Sequence, residues 1–120
     1  MLKKATKRTS SMSEEKMKRM NLEKLEQFDD KKFSRHEVLE GERSHALLLC
    51  LRPGQSVPAH RHEGYEILLH ALRGEADVTL DGEQMTLRAG DFVLVDGAND
   101  FAPVNNGEGD FSMLIILVRK

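Results

Sequence analysis

Short apolar segments, separated by turn-forming residues, follow one another from Ser34 to the end of the chain. The alternation in Ala76–Leu80 is typical of a strand with one buried face, and the Asp81-Gly82 pair after it is favoured in two-residue hairpin loops. Many short strands at close spacing predict a closed or sandwiched all-β architecture. The predicted segments are Arg35–Leu39, Arg43–Leu51, Tyr65–Leu72, Ala76–Leu80, Asp91–Val95 and Met113–Val118.

Length and charge limit the class of protein. The 120 residues suffice for one domain with a modest core. Residues 1–20 carry seven Lys/Arg against two Glu (+5), whereas residues 21–120 carry eleven Lys/Arg against eighteen acidic residues (−7). No apolar run follows the basic residues of the start, and no segment has the length of a membrane span. We therefore expect a soluble, cytoplasmic protein without a membrane partner.

The first part of the chain predicts a flexible basic tail over residues 1–20, followed by one domain over residues 21–120. Between Ser11 and Phe28 the apolar spacing is weakly helical, and Ser11 with Glu14 has the spacing of a capping box. A basic helix could dock on nucleic acid, but the basic residues are few and no aromatic residue is interleaved with them. No nucleic-acid partner is predicted.

Two histidines and a carboxylate lie within seven residues of each other. In an extended strand His60 and His62 point to the same side, and Glu66 follows four residues later. Two imidazoles and one carboxylate with open positions suit a divalent transition metal such as Fe, Mn, Ni or Zn. The alternative is an exposed strand that holds no metal. Cys50, the only cysteine, lies in an apolar run and is interpreted as a core residue.

The spacing Gly54-x5-His60-x-His62-x3-Glu66 resembles the first motif of the cupin superfamily. The second motif of that family aligns onto Gly90–Asn105, but only the two ends match: Asp96, Ala98 and Phe101 replace the family's Pro, Gly and last metal-binding His. The resemblance covers residues 34–119. It implies a double-stranded β-helix barrel with a metal inside, a homodimer, and a small-molecule ligand.

Because of two departures from the motif, the sequence does not determine which residues would be the metal ligands. Phe101 cannot coordinate a metal, and Gly74 lies one residue further from Glu66 than in the family. If the extra residue forms a β-bulge near the start of the strand, Ile67 takes the ligand position and Glu66 points away. If the bulge lies later, Glu66 faces the interior, and His70 shares its face and could serve as a ligand.

Two functions follow from these residues. The first is a metal-dependent enzyme, resembling a dioxygenase or an isomerase, in which His60, His62 and Glu66 hold the metal and a small oxygen-bearing molecule is the substrate. The second is a non-catalytic module that binds a small ligand without metal. In both, Tyr65, His70 and Phe101 are predicted to line the pocket.

Overall fold

The computed structural model describes residues 16–120, whose regular secondary structure is almost entirely β. A short helix, α1 (Leu22–Leu25), precedes the strands of this part of the chain. The strands are β1 (Ser34–Glu40), β2 (Ser44–Leu51), β3 (Tyr65–Arg73), β4 (Glu75–Leu80), β5 (Glu83–Arg88), β6 (Phe92–Asp96), β7 (Phe101–Val104) and β8 (Phe111–Arg119).

The strands form two antiparallel sheets. The larger sheet has the order β1-β2-β8-β3-β6, and the smaller has the order β5-β4-β7. Sequence neighbours such as β2 and β3 are separated in space by β8, so the chain crosses between the sheets rather than meandering within one. This is the double-stranded β-helix that the cupin resemblance implies, and the all-β fold class is confirmed.

The main core lies between the two sheets, because the inward-facing residues of both belong to one cluster. On β3 the alternation places Ile67, Leu69 and Ala71 inside, each at most 1% exposed, and Val78 of β4 meets them from the smaller sheet. Each of the buried Ile, Leu and Val side chains contributes about 1.5–3 kcal/mol on burial. The remaining members include Leu47, Leu49, Leu51, Leu87, Val95, Phe101, Phe111, Met113, Ile115 and Leu117.

The predicted hairpin turn is present. Asp81 and Gly82 join β4 to β5, and both have positive φ, 47° and 88°. A two-residue turn with two positive φ angles matches the twist of the strands that it connects. At the other end of β4, a Cβ on Gly74 would lie 2.2 Å from the Asp110 carbonyl oxygen, so only glycine allows this close approach.

Within the described residues 16–28, the amino-terminal segment is less helical than the sequence predicts. α1 has only four residues and is capped by the Asn21 side chain, which accepts a hydrogen bond from the Lys24 amide at 3.2 Å. Met17 and Met20 are 60% and 46% exposed, so they do not form the expected apolar stripe. Ser11 and Glu14 lie outside the described residues, as does most of the predicted tail.

Residues 22–28 pack on the outer face of the larger sheet. Leu22, Leu25 and Phe28 cover a second apolar cluster that is formed by Val38, Leu48 and Cys50. Burial raises the pKa of the Cys50 thiol to about 11, which agrees with its interpretation as a core residue. The segment therefore belongs to the folded domain.

Candidate functional site

The segment that leads into the histidines, residues 54–60, is extended and runs beside β7. The Gly54 amide donates to the Asn105 carbonyl at 2.7 Å, the Val57 amide to Pro103 at 3.0 Å, and His60 exchanges backbone bonds of 3.2 and 2.9 Å with Phe101. Buried Asn105 anchors the far end, because its side-chain amide donates to two carbonyls and its oxygen accepts from a third backbone group. The position of His60 is thus fixed by the smaller sheet.

The turn from His62 to Tyr65 closes over Gly97. The His62 amide donates to the Gly97 carbonyl at 2.8 Å, and the Gly97 amide donates to the Tyr65 carbonyl at 2.8 Å. A Cβ on Gly97 would lie 2.2 Å from the His62 carbonyl oxygen and 2.6 Å from that of Tyr65. Gly97 therefore positions His62, a role that the motif spacing did not suggest.

His60 and His62 come together as the sequence predicts. Their ring centroids are 4.8 Å apart in an edge-to-face arrangement, and the Phe101 ring lies 6.1 Å from that of His60. The His60 Nδ1 lies 3.0 Å from the Pro58 carbonyl, which can only accept, so Nδ1 carries the proton and Nε2 is left for another partner.

All three rings line a small apolar cavity that has the half-buried imidazoles at its open end and the buried Phe101 ring further inside. Its volume of about 20 Å³ is the space of one water molecule, because Ile67, Phe101 and their neighbours fill the rest of the barrel. Among the described residues, the lining comprises Phe33, Arg35, Leu47, Leu49, Val57, His60, His62, Ile67, Phe101, Pro103 and Ile115.

Arg35 brings a positive charge to this end of the cavity. It lies opposite Leu49 in the β1–β2 pairing, on the inner face, and no carboxylate of residues 16–120 is paired with it. Arg61, by contrast, donates to Asp100 at 2.9 Å. Burial lowers the pKa of His62, and the nearby His60 and Arg35 lower it further. The cavity mouth is thus cationic, with a neutral imidazole at pH 7.

Sequence reasoning missed Arg35. Arg35 lies two residues after Phe33, and alternate residues of a strand share a face. Since Phe33 lines the same cavity, this spacing could have indicated Arg35.

Glu66 is not brought to the histidines. β3 pairs with β8 without a shift from Tyr65 to Ala71, which places Ile67 inside and Glu66 on the exposed outer face. The register shift lies late, between Ala71 and Arg73, so the expectation that a later bulge would keep Glu66 inside is wrong. The pairing is already set at the start of the strand, and the shift affects only the residues beyond it.

His70 and Tyr65 also lie away from the cavity. His70 follows Glu66 on the outer face, where its ring centroid is 5.3 Å from that of Phe92. Tyr65 packs against the main core without lining the cavity. Of the three predicted pocket residues, only Phe101 is in the lining.

The side chains at this site do not fit a resident transition metal. Within residues 16–120 no group of three or more His, Cys, Asp or Glu side chains is placed to hold an ion. Two imidazoles face the cavity, while Phe101 and Ile67 present carbon at the positions where the cupin resemblance implies the other ligands. Protein sites for these metals use at least three protein ligands.

Comparison with known proteins agrees with the fold. The family described as Cupin domain (Cupin_2) matches residues 47–117. A Thermotoga maritima oxalate-binding protein is 31% identical over 68 residues, which span 57% of this chain and only 56% of that protein. No helix within residues 16–120 is long and apolar enough to span a membrane.

Two solved structures extend the likeness over most of the chain. The protein TT1209 from Thermus thermophilus is 25% identical, with a TM-score of 0.79 over 86% of this chain and 98% of its own. A predicted oxalate decarboxylase from Thermotoga maritima is also 25% identical, with a TM-score of 0.68 over 73% of this chain and 81% of its own. Because the family match covers more than half of the sequence and the strand order is that of a double-stranded β-helix, the chain belongs to the cupin domain family.

Proposed function

We propose that this protein is a small cupin that binds a carboxylate anion at the cavity mouth, without a resident metal and without turnover. The observation that carries the proposal is Arg35, a guanidinium without a carboxylate partner among the described residues, next to two imidazoles and above apolar walls. A guanidinium presents paired donors that match the two oxygens of a carboxylate.

The histidines complement Arg35. His60 Nε2 is available because Nδ1 is bonded to Pro58, and His62 is neutral because burial and positive neighbours lower its pKa. A negative ligand offsets that effect, so an imidazole can take up a proton and donate to the carboxylate. The likeness to an oxalate-binding protein supports the same ligand class.

Size and chemistry restrict both the ligand and its fate after binding. A cavity of about 20 Å³ does not admit a ligand body, so the carboxylate lies at the cavity mouth, between Arg35 and the histidines. The lining contains no Ser, Thr, Cys, Asp or Glu that could act as a nucleophile. The metal-dependent enzyme, our other hypothesis, lacks a third ligand, and we therefore favour binding.

Calorimetric titration of chelator-treated protein with oxalate tests the proposal. Arg35→Gln should weaken binding at least tenfold, since a hydrogen-bonded charge is worth about 1.5–3 kcal/mol. Arg88→Gln is the matched control: it removes the same charge from a residue that is paired with Glu75 and does not line the cavity. Equal affinity of both variants, or no binding at millimolar oxalate, would refute the proposal.

A further inference from the structure

Glu37 lies next to Arg35 on the same face of β1. In the β1–β2 pairing, which has no shift before Glu37, that residue lies opposite Leu47. Leu47 lines the cavity, as does Leu49, the partner of Arg35. Alternate residues of a strand share a face and are about 6.6 Å apart along it. The guanidinium that carries the proposed function therefore has a carboxylate as its neighbour on the strand.

These two opposite charges are nevertheless not paired with each other. The Glu37 carboxylate accepts a hydrogen bond from Nε2 of His45, which is its only side-chain partner among residues 16–120. Because a carboxylate can only accept, the His45 Nε2 carries the proton of this bond. His45 lies two residues before Leu47 on β2, so its side chain projects from the same face as that of Glu37.

His45 is the more firmly held member of this pair. Its side chain is 30% exposed, whereas that of Glu37 is 73% exposed. β1 is an edge strand, but β2 lies between β1 and β8, where His45 is opposite Leu117. The imidazole on the inner strand therefore determines the direction of the exposed carboxylate on the edge strand.

Loss of the His45 imidazole would leave Arg35 as the cation that Glu37 can reach on these strands. β1 and β2 together contain a single Lys or Arg, which is Arg35. The forked donors of a guanidinium match the two oxygens of a carboxylate, and the side chains of Arg and Glu are long enough to meet across two strand positions. Glu37 would then occupy the donors that the ligand needs.

We propose that His45 is a positioning residue of the anion site: by binding the Glu37 carboxylate, it leaves the Arg35 guanidinium free for the carboxylate of the ligand. This role rests on the proposed function, because it concerns how the guanidinium of that site stays available. Pairs of exposed charges change an equilibrium constant by up to about fivefold, so the loss of His45 should have an effect of that size.

Calorimetric titration with oxalate at pH 7 tests this role. His45→Leu should weaken binding about three- to fivefold, because Glu37 then pairs with Arg35. Adding Glu37→Gln should restore the affinity to that of Glu37→Gln alone, a rescue that a packing defect would not allow. His45→Gln keeps a donor in the place of Nε2 and should bind like wild type. A His45→Leu protein with wild-type affinity, or one that Glu37→Gln does not rescue, would overturn the proposal.

His70→Leu is the matched control for the loss of an imidazole. Its ring lies on the outer face of the larger sheet, beside Phe92 and away from the cavity. This variant should bind oxalate with the affinity of the wild type, because no carboxylate is released towards Arg35.

A double-mutant cycle between positions 35 and 37 distinguishes this role from the proposed function, since it needs no ligand. Arg35→Gln, Glu37→Gln and both together are made in the wild type and in the His45→Leu background, and urea unfolding measures the coupling. The unfolding constant should show no coupling when His45 is present, and a coupling of about three- to fivefold when it is absent. Equal coupling in both backgrounds would overturn the role of His45, even where the wild type binds oxalate. The predicted coupling in a protein that does not bind oxalate would contradict the proposed function and leave the control of Arg35 by His45 standing.

Discussion

Glu26 ties the amino-terminal segment to the barrel, and its replacement by Gln should destabilise the fold. Its carboxylate accepts two bonds from Arg73, at 2.8 and 2.7 Å, and one from the Ser112 hydroxyl at 2.6 Å. Ser112 is fully buried and the Glu26 side chain is only 15% exposed. The pKa of Glu26 is lowered chiefly by the Arg73 hydrogen bonds, with Ser112 adding to the effect and burial opposing it.

The size of the effect follows from these contacts. The Arg73 side chain is 58% exposed, so that pair contributes little, about 0–1 kcal/mol. A bond between the carboxylate and a buried hydroxyl is worth about 1.5–3 kcal/mol. We expect Glu26→Gln to lower the free energy of unfolding by about 2 kcal/mol, which corresponds to roughly 8–10 °C in melting temperature for a domain of this size.

The loss should depend on pH in a defined direction. A carboxyl group with a lowered pKa in the folded state stabilises the fold at pH values above its unfolded pKa, and this contribution disappears as the pH falls through the folded pKa. Thermal unfolding followed by circular dichroism should therefore show a constant difference between wild type and Glu26→Gln from pH 7 to 5.5. The difference should shrink below the ordinary glutamate value of 4.5. Glu23→Gln, an exposed change in α1, is the control. Equal melting of Glu26→Gln and wild type at pH 7, or a difference that persists at pH 2, would refute the reasoning.

Three further predictions concern the site and the chain start. Gly97→Ala should lower the free energy of unfolding by about 1–3 kcal/mol and weaken oxalate binding, because the added Cβ collides with the His62 carbonyl. Gly109→Ala is the control, since nothing lies near its added Cβ, and calorimetry of both variants checks the difference. Deletion of residues 1–20 should change the melting temperature by less than about 2 °C, while deletion of residues 1–28 should lower it clearly, because the longer deletion removes the apolar cover of Cys50. Phe101→His should give stoichiometric zinc by elemental analysis where wild type gives none, because it places a third imidazole beside His60; a wild type that retains zinc after dialysis would contradict this.

Six of the eight strands were predictable because alternation and turn residues are local signals, whereas β5 and β7 correspond to no predicted segment. Asp81-Gly82 adopts the positive φ angles that its hairpin needs, and the buried segments fall where the apolar runs predicted them. Of the predicted helix between Ser11 and Phe28, the described residues 16–28 contain only the helical position of Lys16 and α1. Leu22, Leu25 and Phe28 are held by their packing on the sheet.

The candidate site was only partly predictable. His60 and His62 share a side because they are two residues apart, which is a local property. Whether Glu66 or Ile67 faces inward depends on the pairing of β3 with β8, about fifty residues later in the sequence, and a slip of one residue exchanges the faces. Arg35 reaches the same cavity from a distant strand, a contact that motif spacing does not contain.

The pH dependence of oxalate binding to metal-free protein tests the central claim most directly. If Arg35 and the histidines bind the anion, the affinity for oxalate should rise as the pH falls from 8 to 6, because a bound carboxylate favours the imidazolium. Binding should then take up protons, which calorimetry in two buffers of different ionisation enthalpy measures. A metal-mediated site requires neutral imidazoles and should weaken over the same range. Binding that appears only after addition of a divalent metal, and that weakens towards pH 6, would contradict the account.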